Sequence, residues 1–323
     1  MIFRASQIAF LRTALFLAIA VFSPARLWAW GCVGHETVAL IAEAHLNPHA
    51  RATAIRILEK SPVDPALERY CKQQGLDAVA YASTWADDYR EQHPETFDWH
   101  FIDIPRGAPR GDPEKYCRPD GCITTALKQQ IKILEGTQNP ALQANALRFI
   151  IHLVGDLHQP LHTTTNDDQG GNCVPVAFFD QIATLKNPEQ KSYSPNLHSI
   201  WDSFIIERLA GTMSVQQFAA MLDREFRSQV PEWKAAGIRI DDWAWQSHGL
   251  AETAAYGDLP RKIPIEKPQP VATCAGDNNI GSRMFALHEA VADKYRSETG
   301  PVIEQQLAKA GVRLAMILNS IWP

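Results

Sequence analysis

Hydrophobic residues recur every three or four positions along most of the chain, and this spacing predicts amphipathic helices. The predicted helices cover residues 38–45, 52–58, 77–89, 124–134, 141–157, 196–209, 215–226, 241–255 and 281–321. Residues 174–179 have a strand-like pattern, and the polar loop 163–195 could form a short hairpin. The Pro/Gly-rich segments 105–120 and 260–270 are too short to separate domains. We therefore predict one all-α domain, with loops and at most a short hairpin.

The first 29 residues have the pattern of a secretory signal peptide. Arg4 and Arg12 precede an apolar run of about nine residues, 14–22, which is too short to span a bilayer. Cleavage after Ala29 would leave residues 30–323 as the mature domain, although Ala25 is a rival cleavage site and an uncleaved anchor is the alternative. No other segment reaches the roughly 20 apolar residues of a membrane helix, so we expect no membrane association after cleavage.

Composition fits a globular protein, with 46% hydrophobic and 21% charged residues. The net charge is −5, and removing the three arginines of residues 1–29, which contain no acid, makes it −8. An acidic chain of this kind does not hold nucleic acid through a basic surface. If the protein binds a polyanion, a local site must supply the positive charge.

Six cysteines follow the signal segment, and an even count in an exported chain predicts disulfides. Cys117 and Cys122 close a short turn and form the predicted pair, whereas the other four cysteines allow three pairings. No Asn-x-Ser/Thr glycosylation site is present, so a bacterial periplasmic or secreted protein fits at least as well as a eukaryotic one. We expect a secreted or periplasmic monomer.

The stretch HLVGDLHQPLH, residues 152–162, places three histidines and an aspartate in an otherwise apolar helix. His152 and Asp156 are four residues apart and share a helix face, and His198 and Asp202 repeat this spacing downstream. Burying such groups is costly unless something pairs them. Paired helices that present His and carboxylate ligands can hold divalent metals, and a ligand set without thiolate suits catalytic zinc.

Several other polar residues could converge on these pairs. A lone histidine in a helix is usually a hydrogen-bonded core residue, but two independent His/Asp pairs make that interpretation a poor one here. The further candidates are Trp30, His35, Asp87, Arg90, His100 and His162.

The motifs resemble one family closely. The chain contains WGCVGH (30–35), WADDYR (85–90), HFID (100–103), the 152–162 stretch, GGN (170–172), NLHSIWD (196–202) and LAKAGVRLAMILNSIW (307–322). In this order they resemble the zinc-dependent single-strand-specific nucleases and 3′-nucleotidases, the type I nucleases of the mung bean type. The resemblance implies a helical fold, related to that of zinc phospholipase C, with three zinc ions at the base of a cleft.

The resemblance also implies a ligand set for each ion. One zinc would be held by Asp87, His100, His152 and Asp156. A second would be held by His162, His198 and Asp202. The third would use the α-amino nitrogen and carbonyl of Trp30, His35 and a bridging Asp156, which requires removal of the signal peptide. His158 matches no ligand position, and we expect it on the helix surface or behind the ligands.

The implied reaction is hydrolysis of single-stranded DNA and RNA to 5′-phosphorylated products, with 3′-nucleotidase activity. Asp87 or Asp156 would orient the attacking water, and Arg90 would stabilise phosphoryl oxygens, its alternative being a structural ion pair. Phe101 would stack on a base, its alternative being core packing, while Asp103 would bind the base edge. Asn172, in the GGN motif, is the remaining predicted substrate-binding residue.

The chain departs from the family pattern beside the base site. Gln169 stands where relatives have an apolar residue, and the loop from His162 to Gly170 is one residue longer, which leaves base preference open. A zinc phospholipase C is the nearest alternative, but those enzymes typically end their ligand set with Glu where this chain has Asp202. A non-catalytic protein that binds zinc or nucleic acid is the third possibility.

Overall fold

The computed structural model describes residues 30–67, 70–71, 75–267, 274–276, 283–285 and 289–323. Helices make up most of this part of the chain, which confirms the all-α prediction. Among these described helices, none combines the length and the apolar character needed to cross a membrane. The predicted signal peptide, 1–29, lies outside the described residues.

The helices vary widely in length. The α-helices are α1 Cys32–His45, α2 Pro48–Lys60, α3 Ala78–Ala82, α4 Trp85–Arg90, α5 Ile123–Gly136, α6 Pro140–Leu157, α7 Leu197–Ser199, α8 Ile205–Ala210, α9 Val215–Glu225, α10 Val230–Ala235, α11 Ile240–Leu250 and α12 Asp293–Ile321. Short 3₁₀ segments lie at Pro65–Leu67, Pro94–His100, Pro113–Tyr116, Pro160–Thr163, Arg227–Gln229 and Cys274–Gly276. Two π-helical turns lie at Ile200–Phe204 and Ala251–Ala255.

Helix α6 runs through the centre of the core. It begins where the Asn139 side chain accepts hydrogen bonds from the amides of Ala141 and Leu142, with Pro140 as the first helical residue. Every residue from Ala146 to Leu157 is buried, so the polar groups of this stretch lie inside the protein. Helix α5 packs along α6, and α1 packs along both α12 and α9.

Close contact between α1 and α12 depends on Gly311. A Cβ atom at this position would lie 2.6 Å from the Cβ of Ile41, so any larger residue would push the two helices apart. This packing fixes α1, which carries His35, against the rest of the bundle.

The predicted helix 77–89 is wrong as one continuous helix, because it divides into α3 and α4 at Ser83 and Thr84. The Ser83 hydroxyl donates to the carbonyl of Ala80, which competes with regular helix continuation. The carbonyl of Ser83 is thereby left to accept a hydrogen bond from Nδ1 of His152 at 2.8 Å.

Two other predicted helices contain π-helical turns. The segment predicted as 196–209 consists of α7, the turn Ile200–Phe204 and α8, and the segment predicted as 241–255 consists of α11 and the turn Ala251–Ala255. A π-helical turn inserts one extra residue into a helix and often marks a functional site. The first turn contains Asp202.

The predicted hairpin is confirmed, since β1 (Thr184–Asn187) pairs antiparallel with β2 (Ser192–Ser194). The predicted strand 174–179 is wrong as a regular strand, because this segment forms isolated bridges and ends at Phe179 with φ of 54°. Its carbonyls accept hydrogen bonds from the amides of Phe285 and Val291. The helix predicted for 281–321 begins at Asp293 in the structure, and residues 281–282 and 286–288 of its predicted start lie outside the described residues.

Three disulfides join the six cysteines. Cys117 pairs with Cys122, as predicted. The remaining four form Cys32–Cys71 and Cys173–Cys274. Such bonds are typical of proteins in oxidising compartments.

Candidate metal centre

Asp156 lies at the centre of the buried polar cluster and is fully inaccessible to solvent. Its Oδ1 lies 3.2 Å from Nε2 of His35. Its Oδ2 lies 3.0 Å from Nδ1 of His100 and 3.1 Å from Nε2 of His152. One carboxylate therefore contacts ring nitrogens that come from α1, the 3₁₀ segment before Phe101, and α6.

Asp87 adds a second carboxylate that faces two of the same ring nitrogens. Its Oδ1 lies 3.8 Å from Nε2 of His152 and 3.9 Å from Nδ1 of His100. Asp87 lies on helix α4, which is separated from α3 by the break at Ser83 and Thr84. Asp87, His100 and His152 have ligand atoms within 4.8 Å of one another, as do His35, His152 and Asp156.

A further group combines His162, His198 and Asp202. The Nε2 atoms of the two histidines are 3.1 Å apart, and Nε2 of His198 lies 3.2 Å from Oδ2 of Asp202. Nε2 of His162 lies 3.8 Å from Oδ1 of the same carboxylate. Gln159 donates a hydrogen bond of 2.6 Å to that Oδ1 and so holds the side chain of Asp202 in place.

The outer hydrogen bonds of three histidines determine which ring nitrogen carries the proton. Nδ1 of His152, His162 and His198 donates to the backbone carbonyl of Ser83, His100 and Gly170, respectively, each at 2.8 Å. In a neutral imidazole the other nitrogen then keeps its lone pair, and here that nitrogen faces the cluster. The residues therefore fit bound metal, because several buried lone pairs converge with carboxylates and no thiolate is among them.

Burial sets the protonation of most of these imidazoles. It lowers the pKa of His198 to about 3, with the neighbouring His162 adding to the effect. It lowers the pKa of His100 to about 4, with Arg90 as the next cause. Burial likewise lowers the pKa of His35. These rings are neutral at pH 7 and available as ligands.

The carboxylates of the cluster differ in the direction of their pKa shifts. Burial raises the pKa of Asp156, but the charges and hydrogen bonds of His152 and its neighbours more than offset this effect and leave the pKa well below its usual value. The pKa of Asp87 is also lowered, because the charges of Arg90, His152 and His100 together more than offset the effect of burial. The pKa of Asp202 is instead raised well above its usual value by burial. A cation beside Asp202 would favour its ionised form.

Trp30 and His35 close the cluster at the start of α1. The Trp30 ring is fully buried, and its Nε1 donates to the carbonyl of Gly155 at 2.7 Å. The His35 ring stacks on His152 with ring centres 4.0 Å apart. A Cβ at Gly155 would lie 2.8 Å from Nδ1 of His35, so glycine permits this close approach. The backbone ligand role of Trp30 stays a prediction.

The predicted substrate residues lie beside the cluster. Arg90 forms an ion pair with Asp87, 3.1 Å from its Oδ1, so the ion pair considered as its alternative role is present. The ring of Phe101 is half-buried, so it is neither a fully buried core residue nor a freely exposed ring. Asp103 pairs with Arg118 at 2.9 Å. The Asn172 side chain donates to the carbonyl of Gln169 within its own loop.

His158 does not lie on the helix surface, so the first of its two expected positions is wrong. It is fully buried, its Nδ1 bonds the carbonyl of Val154, and its Nε2 accepts from Arg313 at 2.9 Å. Sequence reasoning also gave no role to Ser83, Gln159 or Arg118. Gln159 could have been noticed, since it stands between Asp156 and His162, whereas the contacts of Ser83 and Arg118 carry no sequence signal.

Comparison with known proteins identifies the relatives of this chain. The model of the S1/P1 nuclease family matches residues 30–323. Nuclease S1 of Aspergillus oryzae is 28% identical over 91% of this chain and 92% of its own length. Nuclease P1 of Penicillium citrinum is 27% identical over 90% of this chain and 97% of its own. Endonuclease 4 of Arabidopsis thaliana is 26% identical, with 91% and 89% covered.

Proposed function

The chain belongs to the S1/P1 nuclease family and is a hydrolase of phosphodiester bonds; from this premise we propose that it is a zinc-dependent endonuclease for single-stranded DNA and RNA. Its products carry 5′-phosphates, and it also removes phosphate from 3′-nucleotides. The observation that supports this function best is the position of Asp156, whose two oxygens contact His35 and His100 and so link two groups of buried His/Asp ligands.

Three zinc ions would be held by this chain. Asp87, His100, His152 and Asp156 would hold the first, and His162, His198 and Asp202 the second. His35 and Asp156 would hold the third, together with the α-amino nitrogen and carbonyl of Trp30. When bound, zinc lowers the pKa of water towards ~7 and neutralises charge on the phosphoryl group.

The side chains then orient the reactants. Asp87 and Asp156 flank the centre, where a carboxylate oxygen of one or the other would orient the attacking water by accepting its hydrogen bond. Arg90 is ion-paired with Asp87 beside the same centre, and its guanidinium would donate hydrogen bonds to phosphoryl oxygens. Its guanidinium is fixed before substrate arrives, so little reorganisation is needed during the reaction.

A single strand is required because the base must leave its stack. Phe101 follows the ligand His100 directly and presents its ring as a platform for one base. Asp103 accepts hydrogen bonds from the edge of that base, and Asn172 lines the site from the GGN turn. A base that remains paired within a duplex cannot reach this platform.

The proposed function includes export of the protein from the cytoplasm. Residues 1–29 are a signal peptide whose removal exposes the amine of Trp30, and residues 30–323 act as a secreted or periplasmic monomer without membrane attachment. The three disulfides support an oxidising location.

The decisive experiment compares substrates on zinc-loaded protein that begins at Trp30. An end-labelled single strand should be cut at least ~100-fold faster than the same sequence in a duplex, with 5′-phosphate ends identified by mass spectrometry. Asp156→Asn should abolish cleavage, whereas Asp223→Asn, which changes a partly exposed carboxylate paired with His45, should not. Turnover of phosphatidylcholine without DNA cleavage would instead identify a phospholipase, and zinc binding without turnover would contradict catalysis.

A further inference from the structure

Arg118 occupies the proposed base site. Its guanidinium carbon lies over the ring of Phe101, 5.2 Å from the ring centre. The same guanidinium donates to Oδ2 of Asp103 at 2.9 Å and to Oδ1 of Asp98 at 3.1 Å. One side chain therefore covers both the stacking surface and the carboxylate that the proposed function assigns to base recognition.

The backbone that carries Arg118 is held in a short closed loop. The Cys117–Cys122 disulfide closes it, and the amide of Gly121 donates to the Arg118 carbonyl at 2.9 Å. Nε1 of Trp99 donates to the carbonyl of Asp120 and ties the loop to the segment before His100. The side chain of Arg118 is 46% exposed, so it can move by rotamer change while its backbone stays in place.

A base cannot stack on Phe101 while the guanidinium is there. Stacked planar groups are separated by about 3.5 Å, so a base between ring and guanidinium would need roughly 7 Å. The observed distance is 5.2 Å. Base entry on this face must therefore displace Arg118 and break its pair with Asp103, while the contact with Asp98 can hold the displaced side chain.

We propose that Arg118 is a specificity-determining residue that reduces the contribution of the base to substrate binding. The inference rests on the proposed function of Phe101 and Asp103. The favourable interaction of a base with Phe101 is offset by the loss of two Arg118 contacts of similar strength. Cleavage then depends on the phosphate and the metal site more than on the base.

The test uses dinucleotide substrates with a normal base or an abasic sugar at the position that faces Phe101. For the wild type, kcat/KM should differ less than about threefold between the two substrates. Arg118→Ala should lower KM for the base-containing substrate by about tenfold, with kcat within about twofold and the abasic KM not lowered. Arg118→Lys keeps the charge but loses the planar group, and it should lower the same KM by at least about threefold.

The direction of the change separates this role from general electrostatics. Removing a cation near a polyanion normally raises KM, whereas unmasking Phe101 lowers it. Arg110→Ala is the matched control, since Arg110 lies in the same loop region, is exposed and pairs with Asp242 away from Phe101. Adding Phe101→Ala to Arg118→Ala should abolish the gain.

Two results would overturn the inference. If Arg118→Ala raises KM equally for both substrates, Arg118 acts only by charge. If both KM values match the wild type while cleavage remains normal, Arg118 has no role in the base site. An inactive wild type would instead refute the proposed function, and the inference with it.

Discussion

His162 and His198 direct their Nε2 atoms at each other across 3.1 Å, while each Nδ1 donates to a backbone carbonyl. Two lone pairs this close repel unless a cation lies between them. A proton cannot be that cation at neutral pH. Burial and the neighbouring His162 ring lower the pKa of His198 to about 3, and burial also lowers the pKa of His162. A metal ion satisfies both nitrogens together with Asp202.

Replacing Asp202 with alanine tests this second site. The variant should lose one zinc per chain and at least ~100-fold in turnover, because a site with three protein ligands loses one. Circular dichroism should show unchanged helix content. Zinc content by atomic absorption and kcat on single-stranded DNA are the measurements, with Asp223→Ala, which removes a partly exposed carboxylate paired with His45, as the control. Full activity of a two-zinc variant would remove this site from the mechanism.

Zinc removal should destabilise the protein as well as inactivate it. The ligands come from five separate segments and are buried together, so metal binds the folded state selectively. Such binding adds about 4 kcal/mol to the unfolding free energy at a thousandfold excess over Kd. Melting temperatures before and after EDTA treatment, and after zinc is restored, measure the effect. An unchanged melting temperature after verified zinc loss would contradict a cluster embedded in the core.

Extending the chain before Trp30 should prevent normal binding of the third zinc. An amide nitrogen offers no available lone pair at neutral pH, so His35 and Asp156 would bind the ion alone and weakly. A precursor that begins at Met1 and is not exported should hold about two zincs and cleave slowly. Proteolytic trimming to Trp30 should restore zinc and rate together. An equally long extension after Pro323 is the control, and equal zinc content before and after trimming would rule out the terminal ligand.

Gly155→Ala should disrupt the site without disrupting the helix. The added methyl group would lie 2.8 Å from Nδ1 of His35, so the ring must move away from Asp156. We expect a loss of about one zinc and a lower melting temperature, although alanine favours helix by about 1 kcal/mol. Gly249→Ala is the matched control, because nothing lies within 4 Å of its added Cβ, and it should stabilise α11. Normal zinc content in Gly155→Ala would show that His35 is not positioned by this contact.

Glu43 should make stability fall as pH rises. Burial, together with a hydrogen bond to Asp77, raises its pKa from 4.5 to about 9. The folded protein then holds a proton that the unfolded chain releases, so the stabilising contribution is complete below pH 4.5 and is lost as pH rises towards 9. Glu43→Gln cannot ionise and should lose less stability between pH 5 and 8, by roughly 1–2 kcal/mol because solvent screens the group in part.

Urea unfolding at pH 5, 6.5 and 8 with saturating zinc measures this difference. Glu59→Gln, an exposed change on α2, should follow the wild type at all three values. Parallel pH profiles for wild type and Glu43→Gln would show that Glu43 is ionised in the folded protein.

The sequence by itself determined the helical class and most of the candidate ligands. Helix periodicity is local, and the four-residue spacing of His152 with Asp156, and of His198 with Asp202, places each pair on one face before any tertiary contact forms. The Cys117–Cys122 pair was also a local inference, because five residues of separation permit little else.

Tertiary structure decided which of these local features meet. The sharing of Asp156 between His35 and His100 depends on how α1 and the segment before Phe101 pack against α6. At the break at Ser83, the carbonyl of that residue bonds His152, which is 69 residues away. Arg118 covers Phe101 because a disulfide loop lies beside the site. These contacts join distant segments, and their geometry depends on packing that no local sequence pattern encodes.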